Sequence, residues 1–158
     1  MIYPVLKLIN VNKYLSDFFS LKDISIELNK GEVHVLMGEN GSGKSCLMNI
    51  IWGAYIKDSG DMLIDGTPVS ITSPMDAKRL GIAMIHHDSS LFDHFTIAEN
   101  IYIDNKPYLN KPLKIIDWNK MYSDCQLLFK KLGFTLNSKS IVKNLSIAEK
   151  QLVEICKA

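Results

Sequence analysis

The chain has 158 residues, 47% of them hydrophobic and 22% charged, with a net charge of +1. That length suits one domain or part of a larger one, and the near-neutral balance argues against a basic nucleic-acid surface or an acidic tail. Of the 18 lysines and arginines only Arg79 is an arginine, which argues further against a phosphate-backbone reader built on arginine forks. No run approaches the ~18 apolar residues that a membrane span requires. Residues 1–4 lack the charged start of a signal peptide, so none is expected. Cys46, Cys125 and Cys156 are widely spaced with no C-x-x-C pair, a pattern unlike a disulfide framework or a zinc site and typical of a reducing cytosol.

Along the chain, residues 5–9 and 21–28 alternate apolar with polar side chains, as half-buried antiparallel strands do. Ile24, Ile26 and Leu28 fall on one face, Asp23, Ser25 and Glu27 on the other. A turn at residues 29–32 feeds the apolar run 33–37, expected to be a buried strand. Residues 46–52 are apolar at helical spacing. A strand at 62–64 turns at Asp65-Gly66 into 69–71, a hairpin signal. Ser73-Pro74 opens a short helix that Gly81 ends, and residues 82–85 are expected to form another buried strand. After a polar and aromatic loop at 86–95, Thr96 and Glu99 make a capping box for a short helix. Residues 106–112, with two prolines, read as a linker. Asp117 caps a long amphipathic helix carrying Met121, Leu127, Leu128 and Leu132, and Gly133 stops it. A last helix opens at Ser146.

Residues 38–45 read Gly-Glu-Asn-Gly-Ser-Gly-Lys-Ser, a complete G-x-x-x-x-G-K-[ST] phosphate-binding loop. Gly38, Gly41 and Gly43 allow strained turns and close approach to a ligand. Amide N–H groups of such a loop form a nest for phosphate oxygens, with the following helix N-terminus beneath them. The candidate binding residues are therefore Gly38, Glu39, Asn40, Gly41, Ser42, Gly43, Lys44, Ser45 and Cys46. Lys44 suits the β- and γ-phosphates of a nucleotide and Ser45 suits Mg²⁺. Cys46, at the head of the helix, is expected to be the most reactive thiol unless packing hides it. A chance match is disfavoured by the strand-like and helix-like flanks.

A phosphate-loop ATPase also needs an apolar strand ending in Asp to hold Mg²⁺ through water. No run of four apolar residues ends in Asp after Lys44, and Ile115-Ile116-Asp117 is too short. That element is expected beyond Ala158.

Three more stretches join the loop in a recognisable order: Gly81-Ile82-Ala83-Met84-Ile85-His86, Thr96-Ile97-Ala98-Glu99-Asn100-Ile101, and Leu145-Ser146-Ile147-Ala148-Glu149 with residues 150–155. With residues 31–41, they make the chain resemble the nucleotide-binding domain of ABC transporters. The nearest likeness is the first ATPase domain of sugar importers of the ribose/galactose type. The resemblance implies an α/β fold: a phosphate-loop NTPase core of ABC ATPase type (about 31–58 and 73–87), an antiparallel β-subdomain (about 1–30 and 60–72) and a helical arm (about 88–150).

The resemblance also implies roles. Tyr14 falls near the aromatic that stacks on adenine; Phe18 is a second candidate, and an ordinary core or surface tyrosine is the plain alternative. His87 occupies the position of the Q-loop glutamine, which touches Mg²⁺ and the attacking water. His86-His87-Asp88 is open to a second reading as a transition-metal site. Ser146, Ile147, Ala148 and Glu149 match a loose form of the LSGGQ signature, which faces the ATP of an opposing subunit; Ala148 and Glu149 depart from its strict form. Ser146 and Glu149 equally make an ordinary capping box.

The resemblance implies ATP and Mg²⁺ as cofactors, with permease membrane subunits and a second ATPase domain or subunit as partners, and no nucleic acid. It also implies a peripheral position on the cytoplasmic face of the membrane. No general base is assignable within the chain, so the 158 residues alone are expected to bind nucleotide and not to hydrolyse it. Two rivals stand beside this reading: a non-hydrolysing nucleotide-binding or interaction module, and a DNA-maintenance ABC ATPase, which the lack of heptads disfavours.

Overall fold

A computed structural model describes residues 3–16, 19–85, 90–110 and 112–158. The chain divides into two compact units, Met1–Ala83 and Met84–Ala158.

The first unit is built on the antiparallel sheet that the alternation predicts. β1 (Leu6–Ser16) pairs with β2 (Phe19–Leu28) and with β3 (Ser59–Ile64), which pairs with β4 (Thr67–Pro68); the order is β2-β1-β3-β4. Leu8 stands opposite Ile26 on one side and Met62 on the other. Beside the sheet are α1 (Lys44–Trp52) and α2 (Pro74–Arg79). Leu8, Val11, Leu21 and Met62 from the strands close a core with Cys46, Leu47 and Ile50 of α1 and Ala77 of α2. Each large apolar side chain so buried contributes about 1.5–3 kcal/mol. Ser73 caps α2 by accepting from the Asp76 N–H, with Pro74 in the first turn, as expected.

Asp65 (φ 47°) and Gly66 (φ 77°) form the two-residue turn between β3 and β4. Two positive φ values match the twist of a hairpin, so the chain turns at once and β4 starts at Thr67, ahead of the expected 69–71. Residues 33–37 and 82–85, expected as buried strands, belong to no sheet among the described residues. Val33 is 89% exposed. An apolar run becomes a strand only where a neighbour takes its N–H and C=O groups, and β1–β4 place none alongside.

The second unit is helical. α3 (Ile97–Ile101), α4 (Trp118–Leu132) and α5 (Ile147–Lys157) bury Ile97, Ala98, Met121, Cys125, Phe129 and Val153 together with Leu136 and Val142. Both expected capping boxes are present, Thr96–Glu99 on α3 and Ser146–Glu149 on α5. Asp117 caps α4 and Gly133 ends it at φ 74°. The buried stripe of α4 is Met121, Cys125 and Phe129; Leu127 is 58% exposed, against expectation. Spacing of four residues keeps those three on one face, and Leu127 falls off it. The expected linker at 106–112 contains instead one arm of a small hairpin, β5 (Tyr108–Asn110) with β6 (Ile115–Ile116). Asn100 is fully buried, yet its amide is satisfied by Phe92 N–H and by the carbonyls of Phe92 and Thr96.

Candidate nucleotide-binding site

The chain enters the phosphate loop from a braced turn. The Glu32 carboxylate accepts from the Asn29 N–H at 2.8 Å and lies 3.0 Å from His34 Nε2. These contacts, the Asn29 N–H first, hold the Glu32 carboxyl below the usual carboxylate range. The loop then folds through a turn in which Ser42 N–H donates to the Glu39 carbonyl. Gly41 (φ 86°) and Gly43 (φ 97°) occupy left-handed backbone that other residues resist, and Gly43 is the N-cap of α1. At Gly38 an added Cβ would lie 2.7 Å from Ser42 Oγ, inside the closed loop. A side chain there would push the Ser42 hydroxyl aside.

Lys44 is the first residue of α1 and its side chain turns back over the loop. Its ammonium donates to the carbonyls of Gly38 (2.6 Å) and Glu39 (2.8 Å) and to Ser42 Oγ (3.3 Å). The first bond of α1 in this stretch runs from Leu47 N–H to Gly43 C=O. The N–H groups of Lys44, Ser45 and Cys46 precede it and have no carbonyl in the helix to donate to. No side chain caps this end. One cation, three main-chain donors and the exposed Ser45 hydroxyl thus converge on the head of α1. That set is chemically matched to a polyphosphate with a divalent cation.

At Cys46 packing does hide the thiol. Its side chain is buried in the first core, and burial pushes its thiol up from its ordinary value. Desolvation outweighs the helix N-terminus here, so Cys46 can serve a ligand only through its main-chain N–H.

Tyr14 lies near the end of β1 and is 60% exposed. Its N–H donates to Asp58 Oδ2 at 2.6 Å, and the Lys13 ammonium meets Asp58 Oδ1 at 2.7 Å. Sequence reading missed Lys13 and Asp58, because a pair separated by 45 positions leaves no local signal. Phe18, His86, His87 and Asp88 lie outside the described residues, and with them the Q-loop and metal readings.

In the second unit Ser146, Ile147 and Ala148 are exposed at the start of α5. Glu149 turns back so that one carboxylate oxygen accepts from both Ser146 N–H (2.8 Å) and Ser146 Oγ–H (2.7 Å). Those bonds, the backbone one first, hold the Glu149 carboxyl below its ordinary value.

Comparison with known proteins bears on this arrangement. The profile of the ABC transporter family matches residues 21–158. The chain belongs to the ABC transporter family. Among its relatives, the ribose import ATP-binding protein RbsA 1 of Rubrobacter xylanophilus is 39% identical over 155 residues, 98% of this chain and 30% of that protein. The ribose import ATP-binding protein RbsA of Rhodococcus jostii is 40% identical over 155 residues, with the same coverage. Other relatives carry names for ribose, galactose and methyl galactoside import. A solved nucleotide-free ATP-binding cassette of an ABC transporter superposes with a TM-score of 0.81 at 27% identity, over 98% of this chain and 64% of that one. A cassette solved in its ADP conformation gives 0.79 at 25% identity, over 98% and 63%. The chain therefore spans about 30% of the length of the curated relatives and under two thirds of the solved cassettes. Its fold is the α/β ABC cassette with an antiparallel sheet.

Proposed function

We propose that residues 38–46 bind the phosphates of ATP, and that the whole protein couples ATP hydrolysis to import of a sugar of the ribose/galactose class through membrane permease subunits. The observation that carries the first half is the Lys44 ammonium gathered over Gly38, Glu39 and Ser42 at the head of α1. The bonds Lys44 makes there are to neutral carbonyls and a hydroxyl. A phosphate oxygen is a stronger acceptor for the same ammonium, so exchange is favourable. The N–H groups of Lys44, Ser45 and Cys46 orient the phosphates, and Tyr14 offers a ring to the adenine. Mg²⁺, when bound, neutralises phosphate charge, and the Ser45 hydroxyl is the loop side chain suited to hold it. The sugar-import half is supported by the names of the ribose import relatives.

In this reading Ser146, Ile147, Ala148 and Glu149 face the nucleotide of an opposing ATPase domain. An exposed stretch at the N-terminus of the 11-residue α5 supports it. For a phosphate to use the Ser146 hydroxyl, it must first replace the Glu149 carboxylate. The protein works on the cytoplasmic face of the membrane, held there by its permease; no helix among the described residues is long and apolar enough to cross a bilayer.

Calorimetric titration of the purified protein with MgATP tests the reading. Saturable binding below ~1 mM is expected, in line with working substrate affinities. No heat of binding at that concentration would overturn it. Co-purification with a sugar permease from the same membrane tests the second half, and failure to associate counts against import.

A further inference from the structure

We infer that Asp58 is a positioning residue for adenine recognition, acting by clamping the end of β1 that carries Tyr14. The inference rests on the ATP-binding reading above.

Asp58 immediately precedes β3 and grips three consecutive residues of β1. Its N–H donates to the Asn12 carbonyl at 2.9 Å. Its carboxylate takes the Lys13 ammonium on Oδ1 (2.7 Å) and the Tyr14 N–H on Oδ2 (2.6 Å). The place matters. The β1–β3 ladder ends at the pair Asn12–Ser59, and β1 shifts register against β2 between Val11 and Lys13 and again between Tyr14 and Ser16. Past Asn12, β3 has no carbonyl to offer on that side. The Asp58 carboxylate supplies the acceptor that a ladder would otherwise supply, and it does so at Tyr14.

The Lys13 side chain is only 17% exposed while that of Asp58 is 46% exposed, so the cation is partly withdrawn from solvent and its partner faces it from the surface. Val11 of β1 shares one core with Cys46 and Leu47 of α1, so the strand that carries the clamp packs in the same core as the helix that follows the loop. Tyr14 itself is 60% exposed, and its main chain is held by the Asp58 carboxylate on one side and by pairing with Ser20 of β2 on the other. Lys13, by its hydrogen bond and its charge, also holds the Asp58 carboxyl below its ordinary value, so the clamp is ionised at neutral pH.

The test separates base from phosphate. Affinities for MgATP and for inorganic tripolyphosphate are measured by calorimetry on the wild-type protein, Asp58→Ala, Tyr14→Ala and the double variant. Asp58→Ala is expected to weaken ATP binding roughly tenfold, on the scale of a lost base–aromatic stack, and to leave tripolyphosphate unchanged. The double variant is expected to match Tyr14→Ala, because Asp58 acts through Tyr14. Asp58→Asn keeps an oxygen for the Tyr14 N–H but loses the charge that Lys13 aims, so its ATP affinity is expected to lie between those of the wild type and Asp58→Ala. Should Asp58→Ala fold poorly, Lys13→Met removes only the partner that aims the carboxylate; it too is expected to weaken ATP while sparing tripolyphosphate. Equal loss for both ligands, additive losses in the double variant, or unchanged ATP affinity would overturn the inference. A wild-type protein that binds tripolyphosphate and ATP equally well would overturn it too, leaving the phosphate site intact. Binding of neither ligand would overturn the nucleotide site itself and the clamp with it.

Discussion

The ammonium of Lys44 sits 2.6 Å from the carbonyl oxygen of Gly38, six residues earlier, and this contact closes the phosphate loop onto the head of α1. The bond belongs to the loop alone and to no part of the core. Lys44→Ala is therefore expected to leave the melting temperature nearly unchanged while weakening MgATP. A charge-assisted hydrogen bond contributes about 1.5–3 kcal/mol, so the loss should be at least tenfold. Equal ATP affinity in wild type and variant, measured by calorimetry, would contradict the site.

The three thiols should react in an order set by burial. Cys125 is fully buried and its thiol is pushed up to about 12, Cys46 is buried and raised, and Cys156 is raised but half-buried. Native-state alkylation, mapped by mass spectrometry at neutral pH, should modify Cys156 first and Cys125 last. Cys46 reacting ahead of Cys156 would mean that the α1 N-terminus dominates its thiol after all.

Gly60 has φ 85°, and a Cβ there would lie 2.3 Å from the Asn10 carbonyl oxygen across the β1–β3 irregularity. Both the backbone and the space forbid a side chain. Gly60→Ala should destabilise the protein by more than about 1 kcal/mol, seen as a lower urea midpoint. An unchanged midpoint would show that β1 can move aside.

Thr96 caps α3 through Glu99 and bridges to Ile141, while its carbonyl accepts from the buried Asn100. Thr96→Ala removes the hydroxyl cap and should cost about 1 kcal/mol. Thr96→Ser keeps an oxygen and should recover most of it. A serine variant no better than alanine would point to the lost methyl group instead.

Acid should loosen both units. The carboxyls of Asp58, Asp76, Asp93 and Glu149 are each held below their ordinary values, chiefly by hydrogen bonds from Lys13, Ser73, Lys150 and the Ser146 N–H respectively. A lowered folded pKa means that the unfolded chain binds protons first. Stability from these groups is complete above the ordinary carboxylate range and lost as pH falls through that range towards the lowered values. Urea midpoints should thus be level near neutrality and fall in acid. Replacing Asp93 with Asn should flatten part of that fall; an unaltered acid limb would discount the Asp93–Lys150 pair.

Much of the local structure was legible in the residues. Ser73, Thr96, Asp117 and Ser146 cap the helices they announce, because a cap is a contact between residues three apart. The glycines of residues 38–43 and Asp65-Gly66 mark their turns because φ is a property of the single residue. The alternation at Ile24, Ile26 and Leu28 names the inward face of β2, since a strand's period is two.

The caps, the turns, the strand alternation and the G-x-x-x-x-G-K-[ST] pattern are each written within a few residues of one another. Which groups share a neighbourhood follows from the packed chain alone. It chose Met121, Cys125 and Phe129 over Leu127 as the buried face of α4, because α3 and α5 contribute to the same core. It buried Cys46, where desolvation overrules the helix N-terminus. It kept Val33 and Met37 exposed, because an apolar run needs a partner strand to become one. And it brought Asp58 to Tyr14 across 44 positions, a contact that follows from how β1 and β3 run side by side and from nothing in either segment alone.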